Sequence, residues 1–223
     1  MIYKGFKMPV KLFETTDLLA VDKPAGLASI PERNTAKDSL LSVLSASIGQ
    51  KLYVVHRLDK DVSGVILFAK NADMHRHLNE QFANRAVKKT YLALAHGRLE
   101  QNNGVIDKPL RAFGSGRIAV DPVRGKPSVT EYAVVERIGA YTLVKAMPLT
   151  GRRHQIRAHL FHLGHPLVGD PRYGDNRLQK HFSRLMLHAR RIEFTLPDDA
   201  VISVAAPLPE SFTALLEMLR ETA

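Results

Sequence analysis

The 223-residue chain contains no cysteine. That excludes a disulfide framework, a thiolate zinc site and a cysteine nucleophile, and it fits a reducing compartment. Long apolar runs are also missing. The opening stretch MIYKGFKMPV has no apolar segment of signal-peptide length, and no run approaches a membrane span. A cytoplasmic protein with no membrane partner is therefore expected. Internal repeats, low-complexity blocks and linkers of distinct composition are absent as well. Acids are in short supply: 22 Asp and Glu face 32 Lys and Arg, for a formal net charge of +10. Such an excess favours a polyanionic partner, nucleic acid or an acidic membrane surface, although lysine-driven solubility produces the same balance.

What is present suffices for one core. Apolar residues make up 45% of the chain, ordinary for a globular protein of one domain or of one domain with two lobes. Leu18 to Val21 reads as a strand and Asp22 to Gly26 as a turn. A helix is expected from about Ala36 to Ile48, with Thr35 and Asp38 at capping-box spacing and Leu40, Leu44 and Ile48 on one face. Asn71 can cap a second helix reaching Asn84, with Met74, Leu78 and Phe82 on one stripe. A strand from Thr90 to Ala95 follows. Residues 97–150 look β-rich, with turns at Asn103-Gly104 and Gly114-Ser115-Gly116 and paired strands at Val129 to Glu136 and Tyr141 to Ala146. A helix from Arg152 to Leu163 ends at Gly164, and two strands near 185–194 and 201–205 precede a C-terminal helix opened by Pro209. Strands and helices mix without strict βαβ alternation, so the expected class is α+β around a largely antiparallel sheet. One domain is expected over 16–223, with 1–15 as a short extension.

Chemistry concentrates in two stretches. HRLDKDVSG, residues 56–64, is a polar corner between the apolar runs Leu52 to Val55 and Val65 to Ala69. Alone, Asp59 reads as a turn former. His56 and Arg57 beside it point instead to a site, in which a carboxylate acts as nucleophile or base and a cation keeps it ionised. The second stretch is LTGRRHQIRAHLFHLGHPLVGDPRYG, residues 149–174. On a helical wheel Ile156, Leu160 and Leu163 form a core stripe, while Arg153 and Arg157 share another face. Thr150-Gly151 precedes the helix, where free N–H groups could face a phosphate. His154, His159, His162 and His165 cluster here. They scatter over several faces and lack the i, i+4 pairing around a Glu, so no metal is expected. Gly114-Ser115-Gly116 lacks the strand–loop–helix setting of a phosphate loop.

Taken together, HRLDKDVSG, LTGRRHQIRAHL and LGHPLVGDPRYG resemble the signatures of RNA pseudouridine synthases of the RluA type. The likeness extends to Asp22-Lys23-Pro24-Ala25-Gly26, Lys89-Thr90-Tyr91, Gly125-Lys126-Pro127 with Thr130 and Tyr132, and Leu187-His188-Ala189. It spans about 16–195 in the family's order. The resemblance implies the pseudouridine synthase fold, a largely antiparallel mixed sheet flanked by helices and basic loops. It implies an isomerase that turns specific uridines of structured rRNA or tRNA into pseudouridine: N1–C1′ breaks, the uracil turns, and C5 bonds to C1′. No cofactor is implied, and the enzyme is expected to work as a monomer.

Roles follow by position. Asp59 looks like the catalytic aspartate, acting either at C1′ as nucleophile or at C2′ as base. Arg157 looks like the arginine paired with it, and Tyr91 like the tyrosine that stacks on the uracil. Arg57 looks like the residue that enters the helix as the uridine flips out. His56, Lys23, Arg152, Arg153 and Lys126 are the further residues expected to contact RNA. Val62 departs from the family's usual Thr, and Arg153 from its Thr or Lys. No S4 RNA-binding module is expected ahead of the catalytic domain, which would then grip RNA through cations such as Lys108, Arg111, Arg117, Arg124 and Lys126. Two alternatives stand beside this reading. One is a catalytically inactive RNA-binding protein of the same fold. The other is a glycosidase-like enzyme, which would need a second carboxylate, and Asp61 follows too closely to serve.

Overall fold

The computed structural model describes residues 2–3, 6–32, 38–114 and 116–223. Strands β1 (Ile2–Tyr3) and β2 (Phe6–Lys7) pair antiparallel. Next come β3 (Val10–Glu14), β4 (Leu18–Lys23) and helix α1 (Leu40–Ile48). They are followed by β5 (Tyr53–Val54), β6 (Ser63–Ala69) and helix α2 (Ala72–Ala83). The middle of the chain is strand-rich: β7 (Lys88–His96), β8 (Asn103–Asp107), β9 (Leu110–Ala112) and β10 (Ile118–Val120). Two long strands, β11 (Val129–Ile138) and β12 (Tyr141–Pro148), lead to helices α3 (Gln155–His162) and α4 (Asn176–Gln179). The chain closes with β13 (Leu187–Thr195), β14 (Val201–Ala205) and α5 (Glu210–Glu221). The class is α+β, as the mixed pattern implied. No helix among the described residues is long and apolar enough to cross a membrane.

These elements pack as two compact units, residues 1–88 with 189–207 and residues 89–188 with 208–223. In the first, the strand order is β3-β4-β6-β13, with β5 on β6 and β14 on β13. The pairs β3–β4, β4–β6, β5–β6 and β13–β14 are antiparallel. β3 lies inside the stretch expected to be an extension, and pairing with β4 makes it part of the sheet. All seven residues of β6 and five of the six in β4 are buried, which is why Leu18 to Val21 and Val65 to Ala69 read as unbroken apolar runs rather than alternating ones.

Helix α1 starts at Leu40, later than the expected Ala36. Of the anticipated capping pair, Thr35 lies outside the described residues. Ser39 is the observed N-cap: its hydroxyl accepts the Ser42 N–H at 3.2 Å, and the Ser42 hydroxyl accepts the Ser39 N–H at 2.9 Å. Asn71 caps α2 as expected, accepting the Met74 N–H at 2.9 Å, and Met74 and Leu78 are buried.

The second unit has strand order β7-β12-β11-β8, antiparallel throughout. β9 and β10 form a separate antiparallel hairpin whose tip includes Gly114 and Gly116, as expected. Asn103-Gly104, by contrast, is no turn: the pair opens β8, with Gly104 opposite Tyr132. A Cβ on Gly104 would lie 2.8 Å from the Tyr132 ring, so the glycine makes room for an aromatic cross-strand neighbour. Leu94, Ile138, Leu143, Val168 and Met186 receive Phe212 and Leu216 of α5, with Leu215 and Leu219 packed beside them. Helix α3 begins three residues later than expected. His154 takes the left-handed conformation at φ 53°, so regular helix cannot extend through it, and Arg152 and Arg153 lie in the preceding turn. Leu163, expected in the core stripe, is exposed at the helix end.

Gly64, which ends HRLDKDVSG, has φ +116°, and a Cβ there would sit 2.2 Å from the Ala189 carbonyl oxygen. Gly49, at φ +72°, faces open space. Gly64→Ala should therefore lose more than about 3 kcal/mol or fail to fold, against about 1 kcal/mol for Gly49→Ala. Equilibrium urea unfolding of both variants measures the difference; equal losses would contradict the close approach of β6 to β13.

Candidate active site

Three of the expected site residues sit in the corner between β5 and β6. Arg57 is exposed, Leu58 is buried and Asp59 is half-buried. The Asp59 carbonyl accepts the Val62 N–H at 3.1 Å and closes the turn that leads into β6. Val62, where the resemblance anticipates a Thr, is 2% exposed, so its methyl groups fill core space. His56 is bound into the fold more tightly than an RNA contact requires. The Leu67 N–H donates to its Nε2 at 2.9 Å, and its ring stacks on Phe82 at 5.0 Å between centroids. A backbone N–H can only donate, so the ring nitrogen facing it is unprotonated and the imidazole carries its proton on Nδ1.

Lys23 corrects the expectation of a direct RNA contact. The side chain is 0% exposed, and its ammonium donates to the carbonyls of Pro24 (2.8 Å), Leu27 (2.7 Å) and Lys60 (2.9 Å). Three carbonyls within hydrogen-bond reach of the ammonium help to satisfy a cation taken out of water. Lys23 therefore ties the 24–27 loop to the residue that follows Asp59.

In the second unit, Tyr91 lies on β7 opposite Ala146 and is half-buried. Lys89, two residues earlier, donates to the Thr150 carbonyl at 3.4 Å, and burial holds its ammonium below the ordinary lysine value. Arg157 is 1% exposed, although it shares a face of the expected helix with the exposed Arg153. Its Nε and Nη2 each donate to Asp170, both at 2.7 Å, in a bidentate pair with a carboxylate that is itself 0% exposed. Asp170 Oδ1 also accepts the N–H groups of Arg172 (2.9 Å) and Tyr173 (3.3 Å). Periodicity could not reveal Asp170, because it serves no repeating face; its only signal is an acid inside GDPRYG.

The helix start is closed rather than open to phosphate. The Gln155 side-chain oxygen accepts both the Thr150 hydroxyl (2.7 Å) and the Arg152 N–H (3.0 Å). Arg152, Arg153 and Lys126 are all exposed and gather around the hairpin and its flank. Arg152 reaches the carbonyl of Pro127, next to Lys126, while Arg153 donates to the Gly116 carbonyl at the hairpin tip. Arg117 stacks over Phe161 at 4.7 Å and Tyr173 at 5.3 Å. The four histidines divide their bonding among separate partners. His154 Nδ1 meets the Tyr173 hydroxyl, His165 Nδ1 the His96 carbonyl, and His159 both Thr130 and Lys108; His162 is exposed. Among the described residues, no group of three or more potential ligands could hold a metal ion.

The family model described as RNA pseudouridylate synthase matches residues 17–162. An uncharacterised RNA pseudouridine synthase of Zymomonas mobilis is 39% identical over 211 residues, covering 92% of this chain and 95% of its own length. Ribosomal large subunit pseudouridine synthase D of Nitrosomonas europaea is 39% identical over 228 residues, which is 96% of this chain and 66% of that protein. Ribosomal large subunit pseudouridine synthase C of Vibrio vulnificus is 37% identical over 94% of this chain and 69% of its own. Among solved structures, human RNA pseudouridylate synthase domain containing 4 aligns with TM-score 0.78 at 28% identity, over 94% of this chain and 92% of that one.

His159 gives the second unit a pH dependence. Its Nε2 faces the Lys108 carbonyl at 3.0 Å, so Nε2 carries the proton and Nδ1 accepts from Thr130. Desolvation by burial holds the imidazole below its ordinary value of 6.5, with the Lys108 carbonyl opposing the shift. The folded state thus prefers the neutral ring, and the unfolded chain binds the proton first. This contribution to stability is complete above pH 6.5 and is lost as the pH falls from there toward the folded value. Urea midpoints measured across that range should fall for the wild type and fall less for His159→Gln. Parallel curves would show that His159 does not titrate with unfolding.

Proposed function

Because this chain belongs to the RNA pseudouridylate synthase family, isomerases that act on RNA, we propose that its substrate is ribosomal large-subunit RNA, with Asp59 as the carboxylate that acts on the ribose. One observation carries the choice of RNA: likeness over 94% or more of the chain to proteins named for the large ribosomal subunit. The enzyme is proposed to act as a monomer in the cytoplasm.

The reaction balances within the substrate. The N1–C1′ bond breaks, the C5–C1′ bond forms, C5 gives up a proton and N1 gains one, so no oxidant or group donor is required. Asp59 attacks C1′ or takes the C2′ proton; both routes need the ionised carboxylate in a fixed place. Its corner supports that role, since the backbone on either side is tied down. Arg157 enters the proposal as the cation of the site, as the family resemblance implies. Its bidentate bond to Asp170 fixes the guanidinium plane, and a planar fork held along one edge presents the rest at a set angle. Tyr91 supplies the face on which the uracil stacks and turns. The exposed cations Lys108, Arg124, Lys126, Arg152 and Arg153 are assigned to backbone phosphates.

Asp59→Asn is nearly isosteric and should leave folding and RNA affinity intact while cutting pseudouridine formation by roughly 10²–10⁴-fold or more. Mapping pseudouridine in large-subunit RNA treated with each enzyme reads this directly. Near-normal turnover by the Asn variant would remove Asp59 from the mechanism, and release of free uracil would favour a glycosidase. No product from the wild-type protein on any RNA, with binding retained, would favour an inactive binding protein.

Arg57 is distinguished from the other exposed cations by lying two residues before Asp59. Arg124→Ala and Lys126→Ala should weaken RNA binding modestly and reduce the salt slope by about 1 each. Arg57→Ala should instead cut single-turnover rate by about 10–100-fold with affinity within about 3-fold, because unstacking is required only on the way to reaction. The defect should shrink on an RNA whose target uridine lies opposite a missing base. Parallel losses of affinity and rate, with no such rescue, would make Arg57 one more phosphate contact.

A further inference from the structure

The peptide that precedes Asp59 is held by a residue outside every stretch discussed so far. Ser29 is 2% exposed, and its hydroxyl makes two bonds to one residue. It donates to the Leu58 carbonyl at 2.8 Å and accepts the Leu58 N–H at 3.1 Å. Leu58 lies outside any strand, so its backbone N–H and C=O have no ladder neighbour here; the hydroxyl takes the place of one. Its side chain is itself buried, at 3% exposure.

On the other side of Asp59, the Lys60 carbonyl accepts both the Lys23 ammonium (2.9 Å) and the Gly26 N–H (2.9 Å). The segment that supplies all these groups is anchored in turn to the start of α1. The Leu40 N–H donates to the Ala28 carbonyl at 2.8 Å and the Leu41 N–H to the Ser29 carbonyl at 3.1 Å. Residues 58 and 60 are thus gripped from one loop, and Asp59 is the only residue between them.

We propose that Ser29 is a positioning residue for Asp59: through Leu58 it sets where the carboxylate stands relative to the ribose. The inference rests on the reading of Asp59 given above. Without the hydroxyl, the buried N–H and C=O of Leu58 must find water or move, and either displaces the residue next in the chain. A shift of about 1 Å at a reacting group can cost about 10²-fold in rate while leaving substrate binding untouched.

The second unit supplies a matched control. Thr142, 0% exposed, accepts the Leu99 N–H at 3.1 Å and donates to the Gly97 carbonyl at 2.8 Å, so its hydroxyl does the same kind of work away from the corner's sequence. Single-turnover rate per folded enzyme, RNA affinity and melting temperature are measured for Ser29→Ala, Ser29→Thr, Thr142→Val and Asp59→Asn. Ser29→Ala should slow the reaction roughly 10–100-fold with affinity within about 2-fold. Ser29→Thr keeps the hydroxyl and should restore most of the rate. Thr142→Val should lower the melting temperature by a similar amount while leaving the rate within about 2-fold. If Ser29→Ala does not fold, Ser29→Cys, close in volume and a much weaker hydrogen-bonding group, replaces it in the comparison. A Ser29 variant with normal rate, or a Thr142→Val loss of rate as large as that of Ser29→Ala, overturns the proposal. Activity in Asp59→Asn would instead overturn the reading of Asp59, and this inference with it.

Discussion

Burying a guanidinium and a carboxylate together removes two charges from water at a cost of several kcal/mol each, and the second unit is arranged around meeting that cost. Arg157 and Asp170 share two bonds of 2.7 Å, and Asp170 accepts two further N–H groups from Arg172 and Tyr173. The turn that presents those N–H groups brings in the Tyr173 ring, 5.3 Å from the Arg157 guanidinium carbon. The Tyr173 hydroxyl then accepts the Ile118 N–H and donates to the Ile118 carbonyl. One ion pair thereby joins α3, the 167–174 segment and the β9–β10 hairpin. Removing either partner would leave the other charged and dry, so the three pieces hold together or not at all.

The first unit solves a related problem with a different chemistry. Lys23 is as buried as Arg157, and its ammonium meets three backbone carbonyls. Carbonyls at chain turns point in many directions, and a short, rotatable ammonium can gather them where a planar guanidinium could not. In the first unit the buried cation knots a loop beside Asp59, and in the second it is itself one of the residues proposed for the site. The net charge of +10 therefore divides into two populations. Arg57, Arg124, Lys126, Arg152 and Arg153 face solvent, whereas Lys23 and Arg157 are sealed inside.

Helix α3 shows how a polar sequence becomes an interior element. All six residues from Gln155 to Leu160 are buried, including a glutamine, an arginine and a histidine. Each polar side chain reaches a different partner. Gln155 holds the 150–152 turn, Arg157 takes Asp170, and His159 bridges Thr130 and the Lys108 carbonyl. Read by periodicity alone, this helix looks amphipathic and exposed on one side, because hydrophobic spacing carries no record of hydrogen-bond partners brought from elsewhere in the chain.

The α+β class, most strand and helix positions, the basic balance and the two polar stretches around Asp59 and Arg157 are legible in the order of residues alone. Those features are local: they depend on apolar periodicity, on caps such as Asn71, and on residue types quoted in order. The tertiary structure alone decided that α1 starts at a Ser39 cap, that Asn103-Gly104 is strand, that Lys23 is buried away from RNA, and that Arg157 is bonded to Asp170. It also decided that Ser29 grips the residue before Asp59 from 29 positions away. For Lys23, Arg157 and Ser29 the outcome turns on whether a buried polar group finds a partner elsewhere in the chain. No local pattern encodes that pairing, because its free energy arises only when folding removes both groups from water at once.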